Sequence, residues 1–253
     1  MQISLRGLAA VVVLLNLTAL PASAAEVNAA VSSNFAAPME RIAKLFKKES
    51  GHTVKISLAS SGKLYAQIKE GTPFDVLLSA DEDIPRRLGL EGLAEANSRF
   101  VYATGRLVLW SIQPGVVDEK GTVLSQSGFN KLAYANPLIS PYGLATKETL
   151  VKLTMWNAIQ RKLKKTDDVM QAYHMAETEV TDLAFIALSQ IMRDGKVTAG
   201  SWWLVPHEMH NPIRQSAVLL SNSAETEAGK ALLAFLKGEK AKAVMRSFGY
   251  EHP

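Results

Sequence analysis

Residues 27–81 read VNAAVSSNFAAPMERIAKLFKKESGHTVKISLASSGKLYAQIKEGTPFDVLLSAD, and their hydropathy pattern decides the fold. Val27 to Val31 is a short apolar run suited to a strand. Met39, Ile42, Ala43, Leu45 and Phe46 then recur at helical spacing and mark one face of a helix through Lys48. Thr53 to Ala59 reads as a second strand. Lys63 to Glu70 reads as a second helix with Leu64, Ile68 and Tyr65 inward, and Phe74 to Ser79 as a third strand. Asp81 can cap the segment Glu82 to Leu88. Strand, helix, strand, helix predicts an α/β fold with mostly parallel sheets flanked by helices.

Downstream the same logic returns. Arg106 to Ser111 and Lys131 to Ala135 are apolar strands, and Leu144 to Leu153 is a helix entered through Pro141. Val169 to Glu177 and Thr198 to Trp203 carry weaker patterns. Asp182 to Ile191 reads as a buried strand running into a helix, Ile213 to Ser221 as a further strand, and Glu225 to Phe248 as two helices parted at Gly238. No repeat or Pro/Gly/Ser-rich linker divides the chain, so two lobes would be joined by ordinary strands. The expected division is 26–104 plus 216–253 against 105–215, with crossings near Ala103 to Leu107 and Ile213 to Ser216.

Upstream, Arg6, the apolar stretch Leu8 to Leu20 and the small-residue site Ala22-Ser23-Ala24 have the order of a cleaved secretory leader spanning 1–24. Asn16, Thr18 and Pro21 argue against an uncleaved anchor helix. The chain has no cysteine, which removes both a disulfide framework and the residue through which an exported protein is lipid-anchored. These features predict a soluble periplasmic protein beginning near Ala25. Arg6 is the leader's only charge, so its loss from 28 basic residues leaves 27 against 24 acidic ones, a net +3. That balance speaks for solubility and against a nucleic-acid partner.

Four segments stand where helices should begin and none contains a basic residue: Ser32-Ser33-Asn34, Ser60-Ser61-Gly62, Ser140-Pro141-Tyr142-Gly143 and Thr166-Asp167-Asp168-Val169. Helix starts present unpaired N–H groups and the positive end of the macrodipole. In α/β sheets such loops lie beyond the carboxyl ends of the strands, where ligands bind. The pattern therefore predicts a site for a small, fully ionised oxyanion. A Ser or Asn before a helix is by default a cap, so function here depends on convergence in space.

Several ordered segments carry a family resemblance over essentially the whole mature chain: Ser33-Asn34-Phe35-Ala36-Ala37-Pro38-Met39, Ala59-Ser60-Ser61-Gly62-Lys63-Leu64, Phe74-Asp75-Val76-Leu77-Leu78-Ser79-Ala80-Asp81, Gly105-Arg106-Leu107-Val108-Leu109-Trp110-Ser111, Asn136-Pro137-Leu138-Ile139-Ser140-Pro141-Tyr142-Gly143 and Asp182-Leu183-Ala184-Phe185. Together they resemble the periplasmic molybdate-binding proteins of ABC transporters. The resemblance implies a two-lobed type II periplasmic binding fold that closes on molybdate or tungstate and delivers it to an inner-membrane ABC permease with its ATPase. It implies ligand contacts at Ser33, Asn34 and Ser61 on one lobe and Tyr142 and Val169 on the other, the last through a backbone N–H. Molybdenum or tungsten would be held only as the oxyanion, with no protein–metal bond and no cofactor. Some members place a ligand tyrosine where this chain has Ala187, and Tyr142 resembles the branch in which that tyrosine supplies the hydroxyl instead.

The chemistry agrees. Molybdate, tungstate and sulfate only accept hydrogen bonds at neutral pH, whereas hydrogen phosphate also carries a proton needing an acceptor. Ser, Asn, Tyr and backbone N–H groups all donate, with Asp168 the nearby carboxylate that would disturb the pattern. A same-fold receptor for sulfate or another small anion, or a sensor subunit, is the alternative. An exported serine hydrolase using Ser33 or Ser61 lacks a Gly-x-Ser-x-Gly elbow, and His52 and His174 lack triad context. His207-Glu208-Met209-His210 lacks zinc spacing and a third ligand. Arg161-Lys162 with Lys164-Lys165 reads as a solvated helix end, with docking to a partner as the alternative, and Trp202-Trp203 as packing in the smaller lobe, with a cleft-edge position as the alternative.

Overall fold

The structure, a computed structural model, describes residues 24–126 and 128–252. The leader, 1–24, lies outside them but for its last residue. The chain runs β1 (Glu26–Ser32), α1 (Ala36–Ser50), β2 (Thr53–Ala59), α2 (Ser61–Lys69), β3 (Val76–Ser79), α3 (Asp83–Leu90) and β4 (Phe100–Gly105). It continues through β5 (Leu107–Ser111), β6 (Leu132–Ala135), α4 (Pro141–Lys152), β7 (Leu163–Thr166), α5 (Val169–Glu177), β8 (Leu183–Ala187) and α6 (Leu188–Ile191). A hairpin, β9 (Met192–Arg193) and β10 (Lys196–Val197), precedes β11 (Ser201–Leu204), β12 (Ile213–Leu219), α7 (Thr226–Lys237) and α8 (Glu239–Ser247).

Two five-stranded sheets result, ordered β2-β1-β3-β12-β4 and β11-β5-β8-β6-β7. The expectation of mostly parallel sheets is corrected: each has two parallel and two antiparallel pairings. The antiparallel strands are those at or beside the points where the chain changes sheets, which hydropathy cannot reveal. The chain leaves the first sheet between β4 and β5, at Arg106, and returns between β11 and β12. The C-terminus returns to the edge of the first sheet, where Glu251 and Thr104 of β4 exchange backbone hydrogen bonds of 3.0 and 2.9 Å.

The first sheet is covered on both faces, which is why its strands read as unbroken apolar runs. In β1 and β3, Val27, Ala29, Val31, Val76 and Leu78 face α1, α7 and α8, while Ala30 and Leu77 face the α2 and α3 side. That split is the two-residue period of a strand. α1 ends at Gly51, whose φ of 78° suits a left-handed cap and whose N–H reaches the Lys47 carbonyl. The buried Asp75 carboxylate accepts from Asn28 N, Ser223 Oγ and Glu225 N, tying β1 to the start of α7. The second sheet builds its own core around Trp110, Leu109, Phe185 and Ile186. Trp203 is buried there too, as its packing reading required.

The basic cluster at 161–165 is corrected as well. Arg161 and Lys162 do end a short 3-10 helix, Gln160–Lys162, but Lys164 and Lys165 lie on β7, the outer strand beside β6. Lys164 and Lys165 are exposed on that edge, where lysines discourage pairing with another chain. Pairing with β6 is a tertiary contact, so periodicity alone had no access to it. Among the described residues no helix is long and apolar enough to cross a membrane.

Candidate functional site

The helix starts of the first lobe hold hydroxyls that cap nothing. Ser32 precedes the turn leading into α1 and Ser60 precedes α2, yet neither side chain bonds the helix behind it. Instead Ser32 Oγ and Ser61 Oγ lie 2.6 Å apart, and Ala80 N–H donates to both, at 3.1 and 3.0 Å. Each hydroxyl has one proton and two lone pairs. Ala80 occupies a lone pair on each oxygen and one proton closes the Ser32–Ser61 bond, so the second proton is left for another acceptor. The Ser60 hydroxyl is also buried and has no protein partner among the described residues.

The helix starts of the second lobe are different. Ser140 Oγ accepts from Gly143 N at 3.3 Å, and Asp168 Oδ1 accepts from Met170 N and Gln171 N at 2.9 and 3.0 Å. Both are helix caps. Asp168, the nearby carboxylate, thus spends its Oδ1 on its own helix. Val169 is the first residue of α5, where an N–H has no partner within the helix. Gln190 braces it, donating Nε2 to the Val169 carbonyl and accepting from Ala187 N.

Between the lobes lies a buried polar network. Asn34 Nδ2 donates to Gln215 Oε1 at 3.0 Å and to Tyr250 OH at 2.9 Å, which uses both amide hydrogens. Tyr102 OH donates to the same Gln215 oxygen, and Gln215 Nε2 donates to Tyr142 OH at 3.3 Å. Tyr250 OH and Ser189 Oγ both reach the Asn34 carbonyl. Burial pushes ionisation of Tyr102 and Tyr142 well above the usual tyrosine range, and that of Tyr250 to about 12. All three therefore stay protonated at neutral pH.

The lobes meet around these groups. Gly62 N donates to the Ile139 carbonyl at 2.9 Å, Ser189 Oγ to the Asn34 carbonyl at 2.8 Å, and Lys63 pairs with Asp167. Ser33, Asn34, Ser61, Tyr142 and Val169 are each 1–4% exposed. None of them lines the two grooves of about 310 and 330 Å³ that open at the lobe junction; these are bordered by Asp81, Asp83, Pro141 and Leu144. The structure thus links Asn34 to Tyr142 through Gln215, and Ser61 to the Ser32 that precedes Ser33. Val169 connects through Gln190 to α6, whose Ser189 bonds Asn34. Among the described residues no Lys or Arg is buried.

Sequence reasoning placed Ser32 only in a helix-opening segment and Asp81 only as a cap, and gave no role to Ala80 or Gln215. The signal for Gln215 was a polar residue inside the apolar strand Ile213–Leu219, where it is fully buried. Asp81 does cap α3 as expected, through Ile84 N at 2.8 Å, but burial also lifts its carboxyl to about 6. The remaining motifs have local roles. His52 accepts from Ala25 N, His174 pairs with Glu177, and the His210 ring bonds the Asn211 carbonyl. No group of three or more His, Cys, Asp or Glu among the described residues is arranged to hold a metal ion.

A molybdate-binding protein of Azotobacter vinelandii is 46% identical over 234 residues, covering 92% of this chain and 93% of that one. One of Rhodobacter capsulatus is 44% identical over 232 residues, covering 92% and 90%. The solved periplasmic molybdate-binding protein of Azotobacter vinelandii superimposes with a TM-score of 0.88 at 39% identity, covering 90% of this chain and 99% of that one. A sulfate-binding protein of Mycobacterium tuberculosis shares the fold at a TM-score of 0.74 and 14% identity, covering 90% of this chain and 87% of that one. The family model for bacterial extracellular solute-binding proteins matches residues 27–251. With its fold and its sequence matched along nearly the whole length, the chain belongs to the bacterial extracellular solute-binding protein family.

Proposed function

We propose that this protein is the periplasmic receptor of an ABC transporter, capturing molybdate or tungstate and passing it to an inner-membrane permease and its ATPase. The observation that carries the reading is the Ser32–Ser61 hydroxyl pair: the Ala80 N–H leaves it with a proton to give, and among the described residues no Lys or Arg is buried beside it. Such a site suits a dianion that only accepts. Its relatives are binding proteins, and the chain is a receptor, not an exported serine hydrolase.

The ligand contacts in this reading are the Ser33 and Ser61 hydroxyls, the Tyr142 hydroxyl, and the backbone N–H groups of Asn34 and Val169. Asn34 acts through its backbone because its amide hydrogens are already engaged. The lobes comprise about 26–104 plus 216–253 and 105–215, the second crossing running into β12, which joins the first sheet from Ile213, and closure around the ion completes the donor set. The mature protein starts near Ala25 and is a monomer without a lipid anchor. Competitive calorimetric titration with molybdate, tungstate, sulfate and phosphate tests the function. Molybdate or tungstate should bind tightest and phosphate weakest; a preference for sulfate would make the protein a sulfate receptor on the same fold.

A further inference from the structure

Gln215 sits on β12, fully buried, at a break in the register with β4. Its two ends have opposite chemistry. Oε1 accepts from Asn34 Nδ2 and Tyr102 OH, at 3.0 and 2.9 Å, and two donors at one end fix the orientation of the amide. Nε2 must then face Tyr142, and it donates to that hydroxyl at 3.3 Å. The approach depends on Gly105, where a Cβ would lie 2.1 Å from Tyr142 OH and 2.6 Å from Gln215 Nε2.

A phenol has one proton. With Gln215 occupying one of its two lone pairs and burial keeping the group un-ionised, Tyr142 is biased towards giving its proton. The neighbouring Tyr250 oxygen accepts from Asn34 Nδ2 and keeps a second lone pair towards Tyr142, so a bound oxyanion takes over a proton that Tyr142 otherwise turns to Tyr250. We propose that Gln215 is a positioning residue for specificity: it sets the direction of hydrogen bonding at Tyr142, so that the hydroxyl presents a proton and not a lone pair to the oxyanion. The inference rests on the reading above that Tyr142 contacts the ligand. It also explains selectivity, since a hydroxyl with a lone pair turned to the cleft would accept the proton of hydrogen phosphate.

The test is a double-mutant cycle read by calorimetric titration of the mature protein with molybdate and phosphate. Gln215→Glu keeps an acceptor for Asn34 and Tyr102 but can only accept from Tyr142, reversing that bond. Tyr142→Phe should cost about tenfold or more in molybdate affinity in the wild-type background, and less than about threefold in the Gln215→Glu background. The ratio of molybdate to phosphate affinity, in which the added charge largely cancels, should fall in Gln215→Glu. Should Gln215→Glu not fold, Gln215→Met provides the second arm: its severalfold loss should vanish when Tyr142 is Phe. An equal cost of Tyr142→Phe in both backgrounds, or Gln215→Met binding like wild type, overturns the role of Gln215 alone. A wild-type protein that ignores molybdate, or a Tyr142→Phe variant that binds like wild type, overturns the ligand reading and this inference with it.

Discussion

Gly62 gives its backbone N–H to the carbonyl of Ile139 across the cleft at 2.9 Å, and a Cβ at residue 62 would stand 2.8 Å from Ile139 Cβ and 2.9 Å from its Cα. The close approach of the lobes therefore depends on one missing methyl group. Nothing in α2 itself asks for glycine there, since its backbone is not left-handed.

Gly62→Ala should accordingly separate closure from folding. Alanine favours the helix, so the unliganded protein should be unchanged or gain up to about 1 kcal/mol. Molybdate affinity should fall by about tenfold or more, because the bound state alone needs the lobes in contact. Thermal melts and titration of the same preparation make the comparison, and wild-type affinity would show that closure tolerates the side chain.

Molybdate should raise the melting temperature while equal phosphate does not. A ligand that binds only the folded state at a hundredfold excess over its dissociation constant stabilises it by about 2.7 kcal/mol. Phosphate stabilising as strongly would contradict a site made only of donors.

Substitutions at the helix starts should sort ligands from caps. Tyr142→Phe removes a hydrogen bond to a charged group, worth about 1.5–3 kcal/mol, and should weaken molybdate roughly ten- to two-hundredfold with little change in stability. Ser33→Ala and Ser61→Ala should weaken molybdate likewise, Ser61→Ala also losing stability with its bonds to Ser32 and the Ala80 N–H. Ser140→Ala and Asp168→Ala, whose side chains cap α4 and α5, should instead cost about 1 kcal/mol of unliganded stability. Unaltered affinity in Tyr142→Phe would falsify the role of that hydroxyl.

Asp81 should make stability fall as pH rises. Burial lifts its carboxyl from 3.8 to about 6, so in that window the folded state holds a proton that the unfolded state has lost. The contribution is fully present below about 3.8 and is lost as pH passes 6. A shift of that size is worth about 3 kcal/mol, reduced to about 1–2 kcal/mol by the water that reaches this partly exposed side chain. Asp81→Asn retains an oxygen for Ile84 N and should stabilise the protein at pH 8 but not at pH 4. Urea melts at the two pH values make the measurement, and an equal effect at both would remove Asp81 as the cause.

Intact-mass analysis of periplasmic extract should show a chain beginning near Ala25 with no acyl adduct, since the leader carries a small-residue cleavage site and the chain has no cysteine. A retained leader would overturn the processing.

The strand and helix runs were legible because their causes are local. β2 at Thr53–Ala59 and the break between α7 and α8 at Gly238 match the hydropathy reading, and the strand-to-helix passage at Leu183–Ile191 follows from an unbroken apolar run. β4 and β7 were not legible. Phe100–Gly105 and Leu163–Thr166 become strands through their partners, β12 and β6, and a partner far along the chain leaves no periodicity in the strand it recruits.

The sequence by itself determined the α/β alternation and the loops that open its helices, because two-residue and helical periods and capping residues act within a few positions of themselves. Tertiary structure decided what those loops do. Ser140 and Asp168 became caps while Ser32 and Ser61 were drawn into a shared bond under the Ala80 N–H, and Gln215, far from either in sequence, came to stand between Asn34 and Tyr142. The direction in which a buried hydroxyl gives its proton depends on which neighbours have already filled its lone pairs, and those neighbours come from distant stretches of chain that only the tertiary structure brings together.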